Sequence, residues 1–165
     1  MAQVQRIVPC LWFDDQAEAA AAFYTSIFPE SRIVHVARYG EAGFAHHQKP
    51  AGSVMLVEFE LDGERFTALN GGPPFRFTEA ISLQVMCRDQ EENDYYWGCL
   101  GADGDPRAQV CGWLKDRFGL SWQVVPSPVV AMLNDADTVK SQRAYAAIMQ
   151  MSRIDIAAVA RAFHG

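Results

Sequence analysis

The chain has 165 residues, of which 50% are hydrophobic and 21% are charged, and this composition is typical of a folded protein rather than a disordered one. Its formal net charge of −6 argues against a nucleic-acid or anionic-membrane surface, because either would need a clustered basic face. No signal core and no membrane-spanning apolar run occurs in it, so we expect a cytoplasmic protein with neither a nucleic-acid nor a membrane partner.

The first half of the chain predicts a strand, a helix and two further strands that form a hairpin. Its predicted elements, in chain order, are a strand at 7–13, a helix at about 16–28, a strand at 53–61 and a returning strand at 65–70. The helix is rich in alanine and ends near Phe28, because Pro29 disfavours the helical conformation of its predecessor. Between the last two strands, Asp62-Gly63 is a two-residue hairpin turn.

The second half repeats the beginning of the first at an offset of 74 residues. An Asp-Gln-x-Glu sequence stands at 15–18 and again at 89–92, each time after an apolar run and before a helix-like segment with an aromatic pair. Asp15 and Asp89 are the predicted N-caps, with the glutamates three residues on as in a capping box. The predicted elements that complete this half are a strand at 109–114, a turn at 115–119 and a strand at 120–125.

A cluster of residues that break regular structure, Gly71-Gly72-Pro73-Pro74, marks the boundary between two modules. It is not interpreted as a phosphate loop, because no Gly-Lys-Ser/Thr sequence follows and no helix begins there. The predicted organisation is a first module at 1–72, a second at 73–128 and a C-terminal helical extension at 129–165, with helices at 136–151 and 155–163.

The sequence carries no motif for covalent or nucleotide chemistry. Its cysteines, at 10, 87, 99 and 111, never form Cys-x-x-Cys and are predicted to be reduced core residues. A methyltransferase would need a Gly-rich loop with an acidic residue about 20 positions later, a serine hydrolase needs a Gly-x-Ser-x-Gly turn, and neither occurs. Asp89, Glu92 and Asp94 are assigned to helix capping and to the solvent-exposed face, so the catalytic residues stay unassigned.

Several stretches of the chain carry a family resemblance. They are 7–13, 22–24, Phe-Pro at 28–29, 52–61, Leu-Asn-Gly-Gly-Pro at 69–73, 89–92 with 94–97, Cys-Gly-Trp-Leu-Lys-Asp-Arg-Phe-Gly at 111–119 and Ser-Trp-Gln-Val-Val-Pro at 121–126. Together they resemble PhnB-like proteins, a group often labelled after demethylubiquinone methyltransferase. This group belongs to the glyoxalase, bleomycin-resistance and dioxygenase superfamily, also called vicinal oxygen chelate.

The resemblance implies an α+β fold made of paired βαβββ modules. The sheets of such modules curl into a half-open barrel with the ligand on their concave faces and helices on their convex faces. Members often form dimers, so we expect a homodimer.

Related enzymes hold a divalent metal with inward-facing His, Gln or Glu side chains. The resemblance places Pro9 at the first-strand ligand position and Thr67 and Gln123 at the last-strand positions. The repeat offset carries Pro9 to Leu83, or to Ser82 or Ala80 if the alignment slips by a residue or two, and none of these is a plausible ligand. Gln123 alone is a conceivable ligand, and one neutral amide does not hold a divalent ion, so neither a metal nor another cofactor is expected. The neighbouring His46-His47 are predicted to lie in a solvated loop, with side chains that point apart.

Strand alternation predicts the ligand pocket. Pro9, Leu11 and Phe13 are expected on the face of the family site, with Cys10 and Trp12 turned toward the helices. The predicted pocket is an apolar cleft with a few neutral polar groups, lined by Pro9, Leu11, Thr67, Leu69, Leu83, Ser121 and Gln123. The alternative is a core that the protein's own side chains fill.

Two functions stay open on the sequence alone. The first is metal-independent binding of a small apolar or aromatic molecule in the concave cleft. The second is a metal-dependent lyase, isomerase or dioxygenase activity of the same superfamily. A third interpretation, an interaction module, applies if the concave faces are filled.

Overall fold

The computed structural model describes residues 5–165, which form two compact units that divide after Arg76. The first four residues of the predicted module 1–72 lie outside the described residues. The first unit contains, in order, β1 (Cys10–Phe13), α1 (Ala17–Ile27), β2 (Arg32–Arg38), α2 (Phe44–His47), β3 (Val54–Leu61) and β4 (Glu64–Asn70). The second contains β5 (Leu83–Cys87), α3 (Gln90–Gly101), a 3-10 helix (Pro106–Ala108), β6 (Trp113–Lys115), β7 (Ser121–Pro126), α4 (Ser127–Leu133), α5 (Thr138–Ile148) and α6 (Ile156–His164). The α+β class is confirmed.

The first unit is a βαβββ module with one helix packed on its sheet. The strand order is β1-β4-β3-β2, with β1 parallel to β4 and the remaining neighbours antiparallel. Three alanines of α1 and Tyr24 are completely buried, and the Tyr24 ring stacks on Phe59 of β3 at 6.4 Å between centroids. Alternation then buries Val57 and Leu61 on the same face as Phe59, as the sequence predicts.

The β3–β4 hairpin confirms the predicted two-residue turn. Asp62 and Gly63 both have left-handed backbone conformations, with φ of 49° and 81°. A two-residue turn with positive φ at both central positions matches the right-handed twist of the strands it joins.

The N-terminus of α1 differs from the prediction. Its N-cap is Gln16 rather than Asp15, and no side chain of the N-cap residue bonds to the helix. Instead, Asn70 at the end of β4 accepts a hydrogen bond from the Ala17 N–H through Oδ1 (2.8 Å), and its Nδ2 donates to the Val54 carbonyl (3.1 Å). A buried strand residue therefore supplies the acceptor that Asp15 was predicted to provide.

The N-terminus of α3 follows the prediction. Asp89 is the N-cap and accepts from the Glu92 N–H at 2.9 Å, while Glu92 accepts from the Arg88 N–H at 2.7 Å. The N-termini of α1 and α3, which share the Asp-Gln-x-Glu sequence, are thus capped by different side chains: Asn70 of β4 in α1 and Asp89 in α3.

The second unit has a sheet of three strands in the order β5-β7-β6, with β5 parallel to β7. Within residues 77–165, no strand corresponds to β2 of the first unit. The predicted strand at 109–114 begins only at Trp113, because Cys111 and Gly112 have left-handed φ values of 53° and 83°. Their N–H groups bond outside the sheet, to the carbonyls of Met151 and Ser152, each at 2.8 Å.

A buried aspartate organises the turn between β6 and β7. Asp116 is 3% exposed, and its carboxylate accepts from the N–H groups of Phe118 (2.8 Å) and Leu120 (3.1 Å) and from Trp122 Nε1 (2.8 Å). The predicted turn at 115–119 is therefore held by a side chain that satisfies three donors.

Helices α4, α5 and α6 pack together in the second unit. Their shared apolar core contains Val129, Ala144, Ile148, Ile154, Val159 and Phe163. The predicted helices at 136–151 and 155–163 correspond to α5 and α6, and Asp155 caps α6 through the Ala158 N–H at 2.8 Å. Helix α4, which follows Pro126 directly, was not predicted. Among residues 5–165, none of the helices combines the length and apolar composition that a membrane crossing demands.

The glycine- and proline-rich segment after β4 is attached to the first unit. Trp12 donates through Nε1 to the Gly72 carbonyl (2.9 Å), and its ring packs edge-on against Phe75 at 4.9 Å. At Gly71, a Cβ atom would overlap the Trp12 ring. The predicted boundary at 72/73 thus lies four residues before the point at which the two units divide.

Candidate functional site

The sheet of the second unit has one face that packs under helix α3 and one face that does not. Val85, Leu114 and Val124 are buried on the helix face. Register pairs Leu83 and Leu114 with Trp122, so Leu83 lies on that face as well. We call the opposite face the open face, and alternation assigns to it Gln84, Met86, Trp113, Lys115, Ser121, Gln123 and Val125.

Neutral polar side chains form a short row on the open face. Gln123 Nε2 donates to Ser82 Oγ at 2.7 Å, and Gln84 Nε2 donates to Gln123 Oε1 at 3.3 Å. Both ends of the Gln123 amide are therefore engaged by neutral partners.

A cleft of about 530 Å³ opens beside β6. It is lined by Glu79, Arg107, Ala108, Val110, Cys111, Trp113, Leu114, Lys115, Ser121 and Met149. Ser121 is 1% exposed, and within residues 5–165 its hydroxyl oxygen has no hydrogen-bond partner. A buried hydroxyl without a partner costs free energy, and Ser121 is one of the residues that line this cleft.

Two ion pairs stand at this cleft. Lys115 Nζ pairs with Glu79, and a hydrogen bond from Lys115 lowers the pKa of the Glu79 carboxyl below its ordinary value. Arg107 contacts Asp105 through both Nε (3.0 Å) and Nη2 (2.9 Å), and this hydrogen bonding lowers the pKa of Asp105. The cleft therefore combines an apolar wall with two cations that are already paired.

A smaller cleft, of about 420 Å³, lies in the first unit. It is lined by Val8, Val34, Glu58, Phe59, Arg65, Phe66 and Thr67. Thr67 is held against the strand start, because its N–H donates to the Pro9 carbonyl at 2.9 Å and its hydroxyl is 3.4 Å from the same oxygen. Its polar atoms are thus engaged within the sheet.

In the first sheet, the residues proposed for the pocket lie on two faces. The Asn70 side chain reaches α1, so alternation puts Ala68 on the helix face and Thr67 and Leu69 on the opposite one. Leu11 pairs with Ala68 and is buried on the helix face. The sequence analysis therefore placed Leu11 on the wrong face of the sheet.

The same correction applies to the neighbours of Leu11 and to its counterpart in the second sheet. Phe13 pairs with Asn70 on the helix face, whereas Cys10 and Trp12 alternate onto the opposite face rather than toward the helix. Leu83 also lies on the helix face, whereas Ser121 and Gln123 lie on the open face as predicted. The prediction assigned side chains to the two faces by counting from Pro9, which lies before β1. Because side chains alternate along a strand, an error of one residue in that count moves every side chain to the other face.

At the positions where the resemblance to metal enzymes would place ligands, the donor set does not fit a divalent ion. Pro9 and Leu83 carry no donor atom, and Thr67 and Gln123 offer only neutral oxygens that are already hydrogen-bonded. Across residues 5–165, no three His, Cys, Asp or Glu side chains are grouped so that they could hold a metal. His47, in α2 rather than the predicted loop, accepts from the Lys49 N–H through Nδ1 at 3.0 Å.

Several residues of the larger cleft were missed by the sequence analysis. Trp113 and Lys115 pair with Gln123 and Ser121, so the alternation of β6 would have identified them once its first residue was known. Val110 and Met149 left no such signal, because Val110 precedes the strand and Met149 follows α5.

Comparison with known proteins gives a consistent result. Residues 5–125 match the family model described as 3-demethylubiquinone-9 3-methyltransferase. A solved PhnB protein from Bacillus cereus that carries the same label is 36% identical, with a TM-score of 0.63 over 74% of this chain and 100% of that one. A structure from Pseudomonas aeruginosa, 18% identical over 74% of this chain and 98% of that one, has a TM-score of 0.56 and shares the fold. No curated protein matches the chain.

Proposed function

Because the chain belongs to the PhnB-like family that carries the 3-demethylubiquinone-9 3-methyltransferase label, we propose that it binds a small apolar or aromatic molecule without a metal ion. The proposed site is the cleft beside β6 in the second unit. The observation that carries the proposal is the buried, unpartnered hydroxyl of Ser121 in the wall of a cleft of about 530 Å³.

The walls of the cleft support an apolar or aromatic ligand. Trp113, Val110 and Met149 present aromatic, branched and flexible apolar surface, and the volume lies within the range of about 300–1,000 Å³ typical of small-molecule sites. Ser121 adds one polar group that can fix orientation, which is the usual division of labour in such sites.

Methyl transfer, which the family label names, is not what we propose for this chain. The sequence contains no glycine-rich nucleotide loop followed by a ribose-binding acid. The neutral Thr67 and Gln123 likewise favour binding without a metal ion.

We also propose a cellular location and an oligomeric state, neither of which depends on the cleft. We place the protein in the cytoplasm, which its four free thiols support, and we expect a homodimer because the family resemblance implies one. Sedimentation velocity of the purified chain measures the second feature.

A fluorescence titration with N-phenyl-1-naphthylamine, an uncharged aromatic probe, tests the proposed binding. The full chain, treated with EDTA, is expected to bind the probe saturably. Val110→Trp should weaken that binding by about tenfold or more, because Val110 is 52% exposed and a larger ring there fills the cleft.

Val139→Trp is the matched control, since Val139 is exposed on α5 and does not line the cleft. Equal loss of probe binding in both variants, or a requirement for added metal, would overturn the proposed function.

A further inference from the structure

We propose that the ligand of the cleft beside β6 carries an acidic group, which replaces Glu79 as the partner of Lys115. This inference rests on the proposed function and adds the chemical class of the ligand: an apolar or aromatic molecule with one carboxylate, sulfonate or similar anion.

Lys115 is placed to receive such a group. It pairs in register with Ser121 across β6 and β7, so both side chains stand next to each other on the open face. An acid oxygen in the cleft can therefore accept from the Lys115 ammonium and from the Ser121 hydroxyl, which has no other partner in residues 5–165. Hydrogen bonds between ionised groups are shorter and stronger than neutral ones.

The rest of the ligand would lie against Trp113. This residue is two positions from Lys115 on the same strand and the same face, and it also lines the cleft. The acid end and the aromatic end of one small molecule are thus served by neighbouring side chains of β6.

Glu79 is a replaceable partner for Lys115. Its side chain is 67% exposed, whereas that of Lys115 is 25% exposed. Glu79 lies outside the helices and strands, in a turn before β5. An ion pair with one solvated member is weak, so a ligand acid held by the cleft can displace it.

The second cation of the cleft is less available. Arg107 makes a two-point contact with Asp105, only two residues away, and Asp105 also caps the 3-10 helix through the Arg107 N–H. Within residues 5–165, Arg107 has no partner on the open face comparable to Ser121, which pairs in register with Lys115, so Lys115 is the cation we assign to the ligand.

The test compares two probes of the same aromatic skeleton on the full chain. One is 8-anilinonaphthalene-1-sulfonate, which is an anion, and the other is uncharged N-phenyl-1-naphthylamine. Glu79→Gln should tighten binding of the anion by about fivefold, and Lys115→Gln should weaken it by about fivefold. Binding of the uncharged probe should change less than about twofold in both variants.

Two further variants make each result decisive. The double variant, Lys115→Gln with Glu79→Gln, should still bind the anionic probe more weakly than the unmodified chain. That result would show that the loss of binding comes from removing the Lys115 cation and not from repulsion by an unpaired Glu79. Lys140→Gln removes a cation that lies outside the cleft and should change the binding of neither probe.

The outcomes separate the two proposals. If Val110→Trp abolishes binding of the uncharged probe but the anion responds to neither position 79 nor position 115, the acidic ligand is wrong and the cleft stands. If Val110→Trp has no effect on the uncharged probe, the proposed function itself fails.

Discussion

The two sheets begin alike and end differently. In each, the first strand pairs in parallel with the last, and the last pairs antiparallel with the strand before it. In the first unit β2 then extends the sheet beyond β3, whereas in the second unit the corresponding edge of β6 carries the cleft. Within residues 77–165 no fourth strand extends the sheet beyond β6, and residues of β6 line the cleft instead.

The turns that close the two sheets also differ. The first unit uses a two-residue turn with positive φ at both positions, where the Asp62 N–H donates to the Ser31 hydroxyl. The second unit uses a longer turn held by the buried carboxylate of Asp116. A repeat in sequence therefore preserves strand order and helix position more faithfully than it preserves local interactions.

The largest expected effect comes from the turn of the second unit. Asp116→Ala removes the acceptor of three donors, two of them in buried residues, and should lower the free energy of unfolding by about 4 kcal/mol. Urea denaturation measures it. Asp62→Ala, in the hairpin of the first unit, should cost only about 1 kcal/mol, for a left-handed alanine. Equal losses would contradict the distinction between the two turns.

The next effect comes from the start of α1. Asn70→Ala leaves the Ala17 N–H and the Val54 carbonyl without the Asn70 side chain and should destabilise the protein by about 3 kcal/mol. Asn70→Asp keeps an acceptor for Ala17 but sets a second carboxylate oxygen against the Val54 carbonyl, so its cost should fall below that of Asn70→Ala only below about pH 4, where a protonated acid can donate. Unfolding of the two variants at the same urea concentration at that pH would contradict the role of Asn70 as the acceptor for Ala17.

A smaller effect distinguishes the two predicted caps. Asp89→Ala should cost about 1 kcal/mol, because Asp89 accepts from the Glu92 N–H at the start of α3. Asp15→Ala should cost nearly nothing, since Gln16 is the N-cap of α1 and Asn70 bonds to Ala17. Thermal unfolding of both variants at one pH provides the comparison, and a larger loss at position 15 would sink it.

The smallest perturbation uses the cysteines to test the face assignment. Cys10 is exposed on the face opposite α1. Cys87 is buried on the helix face of the second sheet, where burial raises the pKa of its thiol to about 11. Iodoacetamide at pH 8 should therefore alkylate Cys10 and leave Cys87 unmodified until urea is added. Mass spectrometry of the digested protein reads out each site, and rapid modification of native Cys87 would reverse the assignment.

The raised pKa of Cys87 predicts how the free energy of unfolding changes at high pH. The pKa of Cys87 is higher in the folded state than the ordinary value of 9.0, so between pH 9 and pH 11 the unfolded state loses its proton first. Its contribution to stability is complete below about pH 9 and is lost as the pH rises toward 11. Cys87→Ala should show a flatter decline in that window.

Much of the fold could be predicted from local patterns. The alanine-rich segment predicted the position of α1, and the alternation of residues along 53–61 predicted β3. Asp62-Gly63 predicted the turn. Each of these elements depends on short-range sequence. The strand at 109–114 was misplaced because Cys111 bonds to Met151, a contact that no local pattern announces.

The candidate site was less accessible to prediction for a physical reason. Alternation gives the two faces of a strand but not which face is buried, and the starting residue Pro9 lies before β1. Ser121 and Gln123 were placed on the open face, whereas Leu11 and Leu83 were placed on the wrong one. Met149 reaches the cleft from the C-terminal helices, so only the tertiary structure reveals it.

The most direct measurement is a crystal structure of the full chain grown with saturating N-phenyl-1-naphthylamine and EDTA. We predict density for the probe beside β6, against Trp113 and Met149, with its amine nitrogen about 3 Å from the Ser121 hydroxyl oxygen. Density for the probe elsewhere on the chain, with the cleft filled by the protein's own side chains, would contradict the proposed site.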